Sequence, residues 1–328
     1  MTTRPTDSPG SNTGPASNSG VALFTHPAAL LHDTGPHHPV CPDRLRAVLQ
    51  ALEHPDFVPL LREEAPIATK EQLELAHPAS YVDAILDIHP APGHPVHLDG
   101  DTLLSHTSIE GIRRAAGGAV AAVDAVMEGW ARAAFVAMRP PGHHAERTRA
   151  MGFCVFGNAA IAAYHARARW GLRRIAVVDF DVHHGNGTQD MFEGDPDLFY
   201  ASSHQFPCYP GTGAASERGV ADNVVNLPLR PGADGPAFRQ AWDTTGLPAL
   251  AAFKPELLIV SAGFDAHRAD PLAQLRLDTT DFGWITDRLL AIADESCQGR
   301  IVSILEGGYD LPALAASAAL HVRRLMRQ

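Results

Sequence analysis

The chain has 328 residues, of which 45% are apolar and 19% charged, and a net charge of −11. This is the composition of a soluble globular protein. The acidic balance argues against nucleic acid as the main partner, because phosphate binding wants a basic face, and no apolar run approaches the ~18 residues of a membrane-spanning helix.

From Met1 to Gly20 the sequence is rich in Ser, Thr, Pro, Gly and Asn and lacks the apolar core of a secretory signal, which predicts a disordered tail over 1–20. Short β-rich apolar runs follow at Val21–Phe24, Ala134–Ala137, Ile175–Phe180, Leu198–Ala201, Val224–Leu227, Leu257–Ser261 and Ile301–Leu305. Between many of them lie amphipathic or Ala-rich stretches, at Pro42–Glu53, Ser80–Ile88, Ser108–Glu128, Asn158–Trp170, Pro236–Phe253, Thr280–Ser296 and Leu311–Met326. Continuous apolar strands alternating with helices predict an α/β fold whose parallel sheet is covered on both faces. Neither a repeat nor a linker divides the chain after residue 20, so 21–328 reads as one domain. The four cysteines, Cys41, Cys154, Cys208 and Cys297, form no C-x-x-C pair, which predicts a reduced, cytoplasmic setting without a disulfide frame.

Chemistry gathers where the apolar runs end. Arg139-Pro140-Pro141-Gly142-His143-His144 follows the Ala134 run, and Asp179-Phe180-Asp181-Val182-His183-His184-Gly185-Asn186-Gly187 closes the Ile175 run. Gly263-Phe264-Asp265 and Glu306-Gly307-Gly308-Tyr309 follow two more. In open α/β sheets the site sits at the carboxyl ends of the strands. Asp181 and His183 are two apart in a segment leaving a strand, so both side chains reach one ion; with Asp265 they make a three-ligand set with a free position for water. Spacing alone also fits Asp181 and Asp265 as helix caps. His143 and His144 line one cleft only in an irregular turn, which Pro140-Pro141-Gly142 supplies. Such a pair divides the work between taking a proton from the attacking water and steadying the charge that develops; a structural pair is the other reading. The phenol of Tyr309 either donates to an oxyanion or closes the core as an aromatic. Gly307-Gly308 allows close backbone approach.

These ordered motifs, with His32-Asp33-Thr34-Gly35, His38-Pro39, Pro42-Asp43-Arg44-Leu45, Leu98-Asp99-Gly100-Asp101-Thr102, Gly152-Phe153-Cys154 and Tyr209-Pro210-Gly211-Thr212-Gly213, make nearly all of 21–328 resemble the zinc-dependent histone deacetylase superfamily. That superfamily includes bacterial histone deacetylase-like amidohydrolases and acetylpolyamine amidohydrolases. The resemblance implies the arginase/deacetylase fold, a three-layer α/β/α arrangement around a mainly parallel sheet of about eight strands. It assigns zinc to Asp181, His183 and Asp265, the general base to His144, and its electrostatic partner to His143, which Asp179 would hydrogen-bond. Asn186 would stand behind His144 where class I members have Asp, placing the chain on the class II side. Tyr309 would be the transition-state tyrosine, and its presence favours activity, since members with His there are poor deacetylases.

The resemblance further implies that Phe153 and Tyr209 wall a narrow tunnel, that the Gly152 carbonyl meets the substrate amide N–H, that Gly307 and Leu272 belong to the substrate site, and that Asp101 holds the substrate backbone at the rim, with Asp99 competing for that role. A structural potassium ion is implied on the main-chain carbonyls of Asp179, Asp181, His183 and Ser203 and the side chains of Asp179 and Ser202. Val40 and Cys41 stand where Glu and Arg are common, with no catalytic consequence expected.

The predicted reaction is zinc-dependent hydrolysis of an N-acetyl amide, of acetyl-lysine type, on a peptide or small-molecule amine. An acetylpolyamine amidohydrolase is the alternative. Polyamine-specific members similar to class II carry Glu after the Asp-Pro that follows the third zinc ligand, whereas here Asp270-Pro271 precedes Leu272. A two-manganese ureohydrolase would need extra carboxylates where this chain has Ala266 and His267, and a non-catalytic acyl-lysine reader would have no use for every one of these residues. The sequence leaves open a homo-oligomer, dimer or tetramer.

Overall fold

The computed structural model describes residues 20–328. The tail expected over 1–20 therefore lies, except for Gly20, outside the described residues. Among the described residues ten strands form: β1 (Val21–Thr25), β2 (Leu61–Glu64), β3 (Val96–His97), β4 (Leu103–Leu104), β5 (Ala133–Val136), β6 (Ile175–Asp179), β7 (Leu198–Gln205), β8 (Val224–Leu229), β9 (Leu257–Ala262) and β10 (Ile301–Leu305). Eight build one sheet in the order β2-β1-β5-β10-β9-β6-β7-β8, and every pair in it is parallel. The two-residue strands β3 and β4 pair antiparallel in a separate hairpin.

The helices are α1 (Ala28–Leu31), α2 (Pro42–Ala51), α3 (Lys70–Leu73), α4 (Ala79–Leu86), α5 (Ser108–Glu128), α6 (Asn158–Trp170), α7 (Asn186–Phe192), α8 (Gly235–Ala241), α9 (Leu247–Phe253), α10 (Thr279–Cys297) and α11 (Leu311–Leu325). Helices α5 and α6 pack together and touch β5 and β9; α10 and α11 pack together and touch the same strands. This accounts for the wholly buried β5, β6, β9 and β10: a strand covered on both faces has no polar alternation.

Local signals set the helix ends. Asp278 and Asp281 form a reciprocal capping box at the start of α10, and Asp310 accepts the Ala313 N–H with Pro312 in the first turn of α11. The helix expected over Pro236–Phe253 forms over that whole stretch, α8 passing into α9 through a π-helical turn over Trp242–Gly246. Pro248, just inside α9, has no N–H to continue an uninterrupted ladder. Strand β2 was not expected, because as an edge strand it is largely exposed and lacks an apolar run. Strand β7 continues past its apolar stretch through Ser202, Ser203, His204 and Gln205, all buried; burial of polar groups there is a first sign of the site.

Helix α5 presents a buried run of small residues, Ala115, Ala116, Gly117, Gly118 and Ala119, against the segment after β2. A Cβ on Gly117 would stand 2.0 Å from the Pro66 carbonyl oxygen and 2.6 Å from the Ala68 nitrogen, backbone atoms that cannot move aside cheaply. We expect Gly117→Ala to lower unfolding stability by about 1–3 kcal/mol through overpacking, despite alanine's higher helix propensity. Urea unfolding measures it, and an unchanged or raised midpoint would contradict this packing.

Candidate active site

Four neighbouring strands carry the chemistry on their carboxyl ends. Asp179 ends β6, and Asp181 and His183 follow it; Asp265 follows β9, Glu306 follows β10, and His143 and His144 lie in the turn after β5. Crossover helices make these strands parallel neighbours, so residues far apart in sequence converge at one edge of the sheet.

Asp181, His183 and Asp265 come together, with one potential ligand atom from each within 4.8 Å of the others. The His183 Nδ1 stands 3.2 Å from Asp181 Oδ1 and 3.3 Å from Asp265 Oδ2. The remaining oxygens are held by main chain: Gly307 N–H donates to Asp181 Oδ2 at 2.8 Å and Val182 N–H to Asp265 Oδ1 at 2.8 Å. Asp265 Oδ2 is buried without a hydrogen-bond partner. A buried carboxylate oxygen left without a partner is costly, so this oxygen-and-nitrogen donor set fits a divalent ion. Burial, reinforced by the charge on Asp181, pushes the Asp265 carboxyl up to about 7. Burial disfavours a charged His183, but the adjacent Asp181 and Asp265 carboxylates outweigh it and lift its pKa well above the usual value. A proton and a divalent ion thus compete for the same atoms.

The two adjacent histidines, with ring centroids 4.0 Å apart, are treated oppositely. His143 Nδ1 lies 2.9 Å from Asp179 Oδ2, and its Nε2 lies 3.8 Å from Asp181 Oδ1. Burial acts to lower its pKa, but the charges of Asp181 and Asp179 prevail and raise it to about 10. His144 Nδ1 lies 2.9 Å from Asn186 Oδ1. Burial, then the neighbouring His143 and His183, hold its pKa well below the ordinary value. His144 is therefore the neutral imidazole of the pair, with Nε2 available as an acceptor.

Above this floor is a cavity of about 220 Å³ lined by Asp101, His144, Gly152, Phe153, His183, Tyr209, Leu272 and Tyr309. His144 and His183 are 4% and 8% exposed, whereas Leu272 and Tyr209 are 36% and 40% exposed, which sets the histidines at the base and the last two at the mouth. Tyr209 meets His144 edge-on at 5.1 Å, and Phe153 meets Tyr309 at 6.2 Å. Burial, then the charge of Asp265, keeps the Tyr309 phenol protonated by raising its pKa well above the usual value. Asp101 lines the cavity, while Asp99 turns inward to accept the N–H groups of Asp101 and Thr102. Thr102 ties this loop to the wall, donating to Asp101 Oδ1 and accepting the Phe153 N–H.

Gly307, expected among the substrate residues, is not on the cavity wall; it lies under the carboxylates as the donor to Asp181. Asp179 and Ser202 are side by side in the register of β6 and β7. Asp179 Oδ2 accepts from Tyr200 Oη at 3.0 Å in addition to its contact with His143, Ser202 Oγ pairs with His204, and Ser203 Oγ is buried without a partner.

Several participants had no role in the sequence reading. Glu306, fully buried, accepts from Gly142 N–H at 2.7 Å and Ser261 Oγ at 3.1 Å, fixing the turn before His143. Burial pushes its carboxyl up to about 7. Arg44 donates to the Gly308 and Glu306 carbonyls, and its guanidinium sits 4.9 Å over the Tyr309 ring. Arg139 donates to the carbonyls of Ala29, His32 and Val40, which binds the early motifs to the site. An acidic residue ending the Ile301 run was the available signal for Glu306; nothing local marks the targets of the two arginines.

A family model described as Histone deacetylase domain matches residues 38–325. An uncharacterised protein of Synechocystis is 43% identical over 310 residues, covering 93% of this chain and 99% of that protein. The histone deacetylase-like amidohydrolase of Pseudomonas aeruginosa is 37% identical over 312 residues, covering 88% and 81%. Among solved structures, the crystal structure of the HDA15 HD domain superposes with a TM-score of 0.88 at 35% identity, covering 94% of this chain and 89% of that one.

A Cβ on Gly307 would fall 2.1 Å from Asp265 Oδ2 and 2.5 Å from Asp181 Oδ2. We expect Gly307→Ala to fold with unchanged far-ultraviolet circular dichroism yet bind a divalent ion at least about tenfold more weakly, the scale of a lost polar contact. Calorimetric zinc titration reads this directly, and wild-type affinity would refute the close approach.

Proposed function

The chain belongs to the histone deacetylase family, and from that premise we propose that it hydrolyses the acetyl amide of acetyl-lysine-type substrates with a zinc ion held by Asp181, His183 and Asp265. That it is a deacetylase-family enzyme rests on the domain match and its relatives. The observation that carries the finer reading is the cavity whose base holds His144 and His183 and whose walls are Phe153, Tyr209 and Tyr309. Flat aromatic walls bury a methylene chain without requiring hydrogen bonds from it. When bound, the ion polarises the acetyl carbonyl and makes water a better nucleophile.

His144 takes the proton of the attacking water at Nε2 and returns it to the departing amine, a role suited to an imidazole that is neutral at rest. His143, held protonated against Asp179, places positive charge beside the reacting carbonyl. The Tyr309 phenol, protonated throughout, donates to the oxygen on which negative charge develops. At the rim Asp101 accepts a substrate N–H in this reading; its support is that Asp101 lines the cavity while Asp99 is spent on its own turn.

Within the same reading a potassium ion takes the Asp179, Asp181, His183 and Ser203 carbonyls with the side chains of Asp179 and Ser202. Its support is the register pairing of Asp179 with Ser202.

Two measurements test this reading. Tyr309→Phe is expected to fold and bind zinc normally while losing roughly 10²–10³ in kcat on an acetyl-lysine peptide, the usual cost of one oxyanion donor; near-normal turnover would remove the phenol from the mechanism. Leu272 puts an apolar group at the mouth, where a second, distant ammonium gains nothing. Leu272→Glu is therefore expected to raise kcat/KM for acetylspermidine relative to an acetyl-lysine peptide, with a gain that shrinks as salt rises because a rim charge is screened. A wild-type preference for acetylspermidine, or no gain in the variant, would reverse the substrate assignment.

A further inference from the structure

Asn186 has a second partner outside the cavity. Its Oδ1 faces His144 Nδ1 at 2.9 Å, while its Nδ2 donates to Glu146 Oε1 at 2.7 Å and lies 3.3 Å from Met151 Sδ and 3.5 Å from the His144 carbonyl. Every group around Nδ2 is an acceptor. Glu146 is itself fixed: its N–H and carbonyl pair with the carbonyl and N–H of Arg149, and its carboxylate meets the Arg149 guanidinium at 3.0 Å. Its side chain remains 29% exposed.

We propose that Glu146 is a positioning residue that sets the tautomer of His144 by fixing which end of the Asn186 amide faces the imidazole. An amide can turn over and exchange its oxygen for its nitrogen with little change of shape. With the oxygen toward His144, the ring must carry its proton on Nδ1, leaving the Nε2 lone pair for the substrate water. With the nitrogen toward His144, the amide donates to Nδ1, the proton moves to Nε2, and the ring is no base on the cavity side. A carboxylate beside Nδ2 favours the first arrangement strongly, because the turned amide would set its oxygen against a negative charge. An Asp in place of Asn186 would need no such partner; it accepts with either oxygen and would be repelled by Glu146. The amide therefore makes Glu146 necessary, and the charge sits one residue removed from the base, where it selects the tautomer.

This rests on His144 being the base, and the test separates the two ideas. In zinc-loaded protein labelled with ¹⁵N at histidine, the His144 ring is expected to carry its proton on Nδ1 in the wild type and to shift largely to Nε2 in Glu146→Ala. That readout needs no turnover. In parallel, Glu146→Ala should lose about tenfold in kcat, the value of one well-placed hydrogen bond, with KM and zinc content unchanged. Glu146→Gln, whose oxygen still accepts from Asn186, should recover most of the loss. In an Asn186→Asp background, Glu146→Ala should be neutral or beneficial. Where Glu146→Ala folds poorly, Glu146→Met supplies similar volume without an acceptor. Retention of the Nδ1 proton in the variants lacking an acceptor overturns the proposal, as does equal impairment of the Gln and Ala variants or the same loss in both backgrounds. If the tautomer shifts as expected but kcat does not fall, the tautomer control stands and the assignment of His144 as base falls.

Discussion

Negative charge buried at the carboxyl ends of the central strands is the constraint around which this structure is arranged. Asp179, Asp181, Asp265 and Glu306 are each no more than 1% exposed, yet they stand close together after β6, β9 and β10. An unpaired carboxylate does not stay ionised in such a place. Burial indeed drives Asp179, Asp265 and Glu306 upward, the last two to about 7, whereas the His143 and His183 charges outweigh burial at Asp181 and hold it below its usual range. Main-chain N–H groups of Gly142, Val182, His183 and Gly307 take up part of the charge. What they leave over is the unpartnered Asp265 oxygen facing His183, which a divalent cation would complete.

The same field explains why two histidines adjacent in sequence do different things. His143 points into the carboxylates and holds a proton; His144, one residue on, points to the neutral Asn186 and does not. A single irregular turn therefore supplies one imidazole that favours its proton and one that does not. A cation held by Asp181 would offset part of the field acting on His143, coupling the metal seat to the histidine pair.

Much of this was legible before the structure. The β-rich runs ending in Asp, His or Tyr mark the strand ends, and α5 and α6 have the bounds their patterns predict. Pattern fails where long-range pairing decides: β2 is an exposed edge strand held by β1, and β7 extends through polar residues that only the site explains. Arg44, Arg139, Tyr200 and Glu146 were invisible as participants because their partners lie elsewhere in the chain or in side chains whose orientation no spacing encodes. Asp99 is consumed by its own turn while Asp101 lines the cavity, a difference in surroundings that two residues of sequence cannot show.

The claim that this buried acidic cluster is a seat for one ion is tested most directly by anomalous diffraction at the zinc edge from crystals of the zinc-loaded protein. One strong peak per chain is expected, within bonding distance of Asp181, His183 and Asp265. Two peaks in the cavity, or a single peak away from these three residues, would contradict it.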